Sequence, residues 1–157
     1  MKYLFGTLVL LSLHIIVLGQ KGKVLTATQQ CWSGGIAGRH GCNYSFVISF
    51  RDVRQQMIAD TLWIGDYAVK LTERIGNNTG NMTVTRMGKA VRYEINAGTH
   101  YDDNERYMVS IKPTETIAPK PPNNHGAVAT LAYWYGGERR YFAVLKILRR
   151  LAPVAYP

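Results

Sequence analysis

Residues 127–148 read A-V-A-T-L-A-Y-W-Y-G-G-E-R-R-Y-F-A-V-L-K-I-L, the most apolar stretch after the first twenty residues. Two apolar runs, 127–135 and 140–148, flank the turn G-G-E, and glycines between two such runs are typical of a β-hairpin. Both runs are apolar on both faces at several positions, which predicts strands in the centre of a sheet. This hairpin favours a β fold.

Shorter runs upstream support the same fold class. Residues 44–51 alternate apolar and polar side chains, as a half-buried strand does. Two hairpins are predicted about turns at 65–66 and 88–89, and one further strand at 106–112. The polar residues 98–105 are predicted to form a loop, and residues 113–126, with four of the six prolines, an extended connection.

Seven to nine short strands and no long helical pattern predict a mostly β single domain. The two architectures that suit this pattern are an antiparallel β-sandwich of immunoglobulin-like type and a small barrel.

The first nineteen residues have the pattern of a signal peptide. Lys2 precedes an apolar run at 3–18, and Val17 and Gly19 suit the −3 and −1 positions of a cleavage site. The run is shorter than the roughly 20 residues of a membrane-spanning helix, although an uncleaved anchor is the alternative. We predict a signal peptide at 1–19, one β domain at 20–157, and a periplasmic, cell-surface or extracellular location.

The two cysteines, Cys31 and Cys42, both follow the predicted signal peptide. An even count in an oxidising compartment predicts a disulfide, here closing a ring of 12 residues. Such a ring stabilises a protein by roughly 3 kcal/mol in the chain-entropy model.

The ring itself, C-W-S-G-G-I-A-G-R-H-G-C, is a candidate ligand loop. Glycines leave backbone N–H groups accessible to an anion. The spacing matches neither a P-loop nor a dinucleotide fingerprint, so the alternative is an irregular connection whose glycines serve the backbone. The candidate residues are Ser33, Gly34, Gly35, Arg39 and His40.

The acidic stretch T-H-Y-D-D-N-E at 99–105 is a weak candidate for Ca²⁺, which prefers oxygen ligands. The EF-hand spacing is absent, and a solvated turn is the alternative. No cofactor is predicted. The weak metal candidates are His100, Asp102, Asp103 and Glu105.

The formal net charge of +9 favours anionic partners through long-range attraction. The tightest basic groups are 139–140 and 146–150. No dense Lys/Arg run occurs, which disfavours nucleic acid as a partner.

Aromatic residues cluster at 133–135 and 141–142. They predict either core packing or an exposed platform on which a sugar stacks. Glycosylation sequons occur at Asn43, Asn77 and Asn81.

Three segments together resemble a group of small uncharacterised secreted proteins common in Bacteroidota. They are C-W-S-G-G-I-A-G-R-H-G-C-N-Y at 31–44, Y-W-Y-G-G-E-R-R-Y-F at 133–142 and R-R-L-A-P-V-A-Y-P at 149–157. The group has no assigned activity, so the resemblance implies export and compactness and no functional residue.

These observations predict a non-enzymatic exported β-sandwich that binds or scaffolds in the cell envelope or outside the cell. Its partner would be an anionic polysaccharide or an envelope protein, and the oligomeric state stays open. One alternative is a small secreted hydrolase with a loop-built site that uses His40, His100 or Asp102, although no nucleophile-elbow pattern occurs. The other is a Ca²⁺-type module at 100–105.

Overall fold

The structure is a computed structural model that describes residues 21–34, 38–65, 67–75, 80–102 and 126–157, with residues 100–102 described by their backbone. Within these ranges the chain forms ten β-strands and no helix. The strands are β1 (Gly22–Gly34), β2 (Arg39–Phe50), β3 (Met57–Ile64), β4 (Tyr67–Lys70), β5 (Met82–Met87), β6 (Ala90–Asp102), β7 (Ala129–Tyr135), β8 (Glu138–Val144), β9 (Arg149–Arg150) and β10 (Val154–Tyr156).

The strands form two sheets. The larger sheet has the order β10-β1-β2-β6-β5, and β9 also pairs with β1. The smaller sheet has the order β4-β3-β7-β8. Neighbouring strands are antiparallel, except that β9 and β10 both run parallel to β1 along the same edge.

One apolar core joins the two sheets. Phe46, Ile48 and Phe50 alternate along β2 and are fully buried, as a strand with one face in the core requires. The ring centroid of Phe50 lies 5.1 Å from that of Tyr133 on β7. The Tyr93 hydroxyl on β6 donates a hydrogen bond of 2.8 Å to the Met57 carbonyl oxygen on β3. The mostly β fold is confirmed, and of the two predicted architectures it is the sandwich.

The hairpin at 127–148 forms as predicted, but only one of its strands is central. β7 lies between β3 and β8, and both of its faces are buried at Leu131 and Ala132. In the described part of the chain, β8 is the last strand of the smaller sheet and ends at Val144. The prediction that the whole of 140–148 is one central strand was wrong, because residues 145–148 leave this sheet and run to the edge of β1.

Two segments predicted as loops belong to strands. Residues 98–102 continue β6, and each pairs with a residue of β2. Within the ring 31–42, β1 continues to Gly34 and β2 begins at Arg39. Polar residues extend these strands because backbone pairing with a long neighbour satisfies their N–H and C=O groups without an apolar face.

The sequence pattern predicted neither β1 nor the C-terminal strands β9 and β10. β1 carries few apolar side chains and is paired with eleven residues of β2, and β9 and β10 are too short for a periodicity to be seen. The predicted strand at 106–112 and the connection at 113–125 lie outside the described residues. No helix in the described ranges is long and apolar enough to cross a membrane.

Candidate functional site

The predicted disulfide closes the far end of the β1–β2 pair. Cys31 lies directly opposite Cys42 in the strand register, with a Cα–Cα distance of 3.9 Å, and their sulfur atoms are bonded. The disulfide prediction is confirmed. The bond is compatible with an oxidising compartment such as the one reached by export.

The candidate ligand loop is divided between these two strands. Ser33 on β1 pairs with His40 on β2, and both are exposed. Arg39 begins β2 opposite Asp102 of β6. Gly34 ends β1, and Gly35 lies outside the described residues. The structure thus places Ser33, Arg39 and His40 at one end of the larger sheet, and their ligand role stays a prediction.

Two glycines of the ring have a packing explanation. Gly34 has a φ of 124°, and a Cβ atom there would collide with the backbone of Tyr156 on β10. A Cβ atom on Gly41 would collide with the Thr99 carbonyl oxygen and would lie 2.8 Å from the ring of Trp32. Both positions therefore need glycine because another strand or ring passes close to the backbone.

The structure describes only some of the residues predicted to bind a metal or to act in a hydrolase. The backbones of His100 and Asp102 lie in β6, opposite Gly41 and Arg39, so both are close in register to His40. Asp103 and Glu105 lie outside the described residues. Among the residues that are described, no group of three or more His, Cys, Asp or Glu side chains could hold a metal ion.

A second surface lies on the outer face of the smaller sheet, where strand alternation divides the aromatic cluster. Tyr133 is buried in the core and Phe142 packs against it. Trp134 and Tyr141, each one position along the strand, are 44% and 37% exposed. Both predicted roles of the aromatic cluster therefore occur, because one face of β7 and β8 packs in the core and the other exposes its rings to solvent.

A β-bulge brings Asp60 to this outer face. The register of β3 against β7 shifts between Ala59 and Thr61, which leaves Asp60 without a partner on β7. Its carboxylate accepts a hydrogen bond of 3.2 Å from the indole Nε1 of Trp134. The same carboxylate forms an ion pair of 3.1 Å with Arg139 on β8. Bulges commonly redirect one side chain in this way.

Arg139 extends this network along the face. Its guanidinium lies 5.6 Å from the ring centroid of Trp63 and 6.0 Å from that of Tyr141, both within cation–π range. Trp63 is only 2% exposed, and its Nε1 has no hydrogen-bond acceptor among the described residues. The result is a connected set of side chains, the aromatic face, which consists of Asp60, Trp63, Trp134, Arg139 and Tyr141.

A shallow pocket of about 280 Å³ adjoins Trp134. Ile58 and Trp134 form its apolar side, and the amides of Gln55 and Gln56 supply polar groups. The turn at 136–137 forms the remaining wall, where Gln55 lies so close to Gly136 that an added Cβ atom would lie 2.5 Å from its Oε1. This volume lies just below the usual range of small-molecule pockets.

Positive charge lies beside the pocket. Exposed Arg54 directly precedes Gln55, and its backbone N–H donates a hydrogen bond of 3.2 Å to the Tyr135 hydroxyl. The Arg140 guanidinium lies 5.1 Å from the centroid of the Tyr135 ring. It also forms an ion pair of 3.0 Å with the Glu138 carboxylate. Arg54 has no carboxylate partner among the described residues.

No protein family, curated protein or solved structure matches the chain. The resemblance to secreted Bacteroidota proteins therefore stays a prediction.

The sequence predicted the aromatic cluster but not the roles of Asp60, Gln55 and Gln56. A usable signal was present, because Asp60 is a charged residue inside the apolar run M-I-A-D-T-L-W-I. A bulge that turns such a residue outward cannot be placed without the register of the partner strand.

The sequons occupy different environments. Asn43 is exposed on β2. The Asn81 side chain accepts a hydrogen bond of 2.8 Å from the Thr72 N–H and donates one of 3.0 Å to the Lys70 carbonyl oxygen, so it holds the connection between β4 and β5. Asn77 lies outside the described residues.

Proposed function

We propose that the protein is exported and binds an anionic glycan, without catalysing a reaction, through the aromatic face and the adjoining pocket. The observation that carries the proposal is Trp134, a half-exposed indole held in place by Asp60 at the rim of a shallow pocket.

A sugar suits this geometry for reasons of surface chemistry. One face of a pyranose ring is lined by C–H groups, which pack on an aromatic ring, whereas its hydroxyl groups need hydrogen-bond partners at the edge. Trp134 supplies the first requirement, and the amides of Gln55 and Gln56, which both donate and accept, supply the second. Because Asp60 already fixes the indole, little side-chain entropy is lost on binding.

A negatively charged glycan suits the positive charge of the protein. The chain carries a formal net charge of +9, and Arg54 lies beside the pocket. A carboxylate or sulfate group is the natural partner of a guanidinium. Export is supported by the signal-like first nineteen residues and by the disulfide, which suits an oxidising compartment.

Retention on immobilised heparin and on acidic polysaccharide from the host envelope tests the proposal. We expect retention at low salt that weakens as salt rises, because exposed charges are screened. Trp134→Ala should weaken binding by roughly tenfold or more, the usual effect of losing a central aromatic contact. Arg54→Gln should cause a smaller loss.

Tyr156→Ala is the matched control, since it removes a 54% exposed aromatic ring from the other sheet. It should bind as the wild type does. The proposal fails if no acidic glycan is retained at low salt, or if Trp134→Ala and Tyr156→Ala bind equally well.

A further inference from the structure

Acidic residues are unevenly distributed along the chain. No Asp or Glu occurs before Asp52 or after Glu138. These two acid-free ends of the chain meet in the fold, because β9 and β10 pair with β1. One edge of the sandwich therefore carries positive charge with no acidic residue on its own strands.

Three exposed leucines lie on this same edge. Leu25, Leu145 and Leu148 are 44%, 68% and 49% exposed. The Leu148 N–H donates a hydrogen bond of 2.8 Å to the Ala27 carbonyl oxygen, which places Leu148 beside β1. Leu25 is two residues from Ala27 and Leu145 three from Leu148, so all three lie within roughly 10 Å of this hydrogen bond.

Local backbone structure accounts for their exposure. The register of β1 against β2 shifts between Val24 and Thr26, so Leu25 has no cross-strand partner. Residues 145–148 cross from the smaller sheet to β1, and Ile147 alone among them packs against the core. With Ile147 directed inward, Leu145 and Leu148 are left at the surface.

Four cations lie within two residues of these leucines in the sequence. Lys23, Lys146, Arg149 and Arg150 are all exposed. We call this surface the basic–apolar edge, formed by Lys23, Leu25, Lys146, Arg149 and Arg150 together with Leu145 and Leu148. Exposed apolar side chains clustered among cations are unusual on a protein that only faces water.

We propose that the basic–apolar edge docks on the surface of an anionic lipid bilayer. The leucines enter the boundary between headgroups and acyl chains, and the cations contact lipid phosphates. A polysaccharide would satisfy the cations but offers no apolar phase for the leucines, which is why a bilayer is favoured. This site is separate from the aromatic face, so it adds membrane attachment to glycan binding.

Vesicle co-sedimentation of the exported protein, as purified from its host, tests this proposal. We expect binding to vesicles of phosphatidylcholine with one third phosphatidylglycerol, and much weaker binding to phosphatidylcholine alone. Lys146→Gln with Arg149→Gln should lower the partition coefficient by roughly 10- to 30-fold, since each cation near an anionic bilayer contributes about fivefold. Leu145→Ser with Leu148→Ser should also lower it, by roughly tenfold.

Matched variants remove the same groups elsewhere on the molecule. Arg74→Gln with Lys89→Gln removes two exposed charges, and Ile75→Ser removes a side chain that is 71% exposed. Both should bind vesicles almost as the wild type does, and circular dichroism and melting temperature confirm that every variant is folded.

The proposal is overturned if phosphatidylglycerol vesicles are not bound. It is also overturned if the charge variant binds less but the leucine variant binds as the wild type does, because the edge would then recognise an anionic polymer or protein without a lipid phase. Trp134→Ala, which should weaken glycan binding, should leave vesicle binding unchanged. The two assays therefore distinguish a failure of the glycan proposal from a failure of the membrane proposal.

Discussion

Tyr93 shows how a single residue links the two sheets. Its side chain is 1% exposed, its ring lies 6.1 Å from that of Phe50, and its hydroxyl donates to the Met57 carbonyl oxygen across the sandwich. Burial raises the pKa of Tyr93 to about 12, because the phenolate would lose its hydration. Burial also raises the pKa of Tyr133. Both phenols therefore stay neutral to a higher pH than a phenol in water does.

This shift predicts alkaline destabilisation. The phenol ionises in the unfolded chain near pH 10 but in the folded protein only near pH 12. The stability that neutral Tyr93 contributes is complete below pH 10 and is lost as the pH rises to 12, at up to about 1.4 kcal/mol per pH unit. Tyr93→Phe should flatten this dependence, as measured by urea unfolding between pH 9 and pH 11.

The same variant loses the hydrogen bond to Met57, so it should be less stable at pH 7 by about 1 kcal/mol. Tyr156→Phe, at an exposed site, is the control and should change neither the stability nor its slope with pH. An unchanged slope in Tyr93→Phe would contradict this account of Tyr93.

At the scale of the element, the β1–β2 pair extends beyond the apolar core. Fully buried side chains on β2 begin at Phe46, and the strand continues toward the hairpin end through Tyr44 and Asn43 to Arg39. Polar side chains cannot hold two strands together by apolar burial, which leaves backbone hydrogen bonds and the disulfide between Cys31 and Cys42 to do so. The covalent bond thus lies where the core contributes least.

Cys31→Ser with Cys42→Ser should therefore lower the free energy of unfolding by roughly 3 kcal/mol. Hydrogen exchange should accelerate more at residues 39–44 than at residues 46–50, because the loss is local to the extended end. The measurement is denaturant unfolding combined with native-state exchange.

Added reductant provides the control, since it should destabilise the wild type and leave the double serine variant unchanged. Equal acceleration of exchange along the whole of β2 would show that the disulfide supports the core instead of this end.

At the scale of the whole molecule, Phe50 is the residue on which the core converges. Its ring lies 6.1 Å, 5.1 Å and 5.2 Å from those of Tyr93, Tyr133 and Phe142, which come from both sheets. Gly22 on β1 also lies against this cluster, because a Cβ atom there would lie 2.8 Å from the Phe50 ring. The sandwich is therefore one packing unit, and a cavity here affects both sheets.

Phe50→Ala should lower the free energy of unfolding by roughly 3 to 5 kcal/mol, through lost burial and a residual cavity. At about 2 to 4 °C per kcal/mol, the melting temperature should fall by roughly 6 to 20 °C. Calorimetry measures both quantities.

Met87→Ala truncates a side chain that is 60% exposed and should change stability by less than about 0.5 kcal/mol. If Phe50→Ala melts like Met87→Ala, the two sheets do not share one core.

Much of the fold could be predicted from local sequence patterns, because the structure keeps the turns and strands that these patterns indicate. The turns at Gly65, Gly88 and Gly136 have φ values of 58°, 56° and 62°, which favour glycine, so each hairpin was recognisable in the sequence. The disulfide was predictable from an even cysteine count. The alternation of buried side chains on β2 likewise identified the core face before any partner strand was known.

Only the tertiary structure decided how distant segments meet. The sequence by itself determined the fold class, the hairpins, the basic charge and the cysteine pair, because each depends on residues close together in the chain. The alignment of β9 and β10 beside β1, the bulge that directs Asp60 to Trp134, and the hydrogen bond between Leu148 and Ala27 join residues far apart in sequence. Such contacts depend on strand register and sheet order, which local periodicity does not specify. Both surfaces to which we assign a function arise from contacts of this second kind.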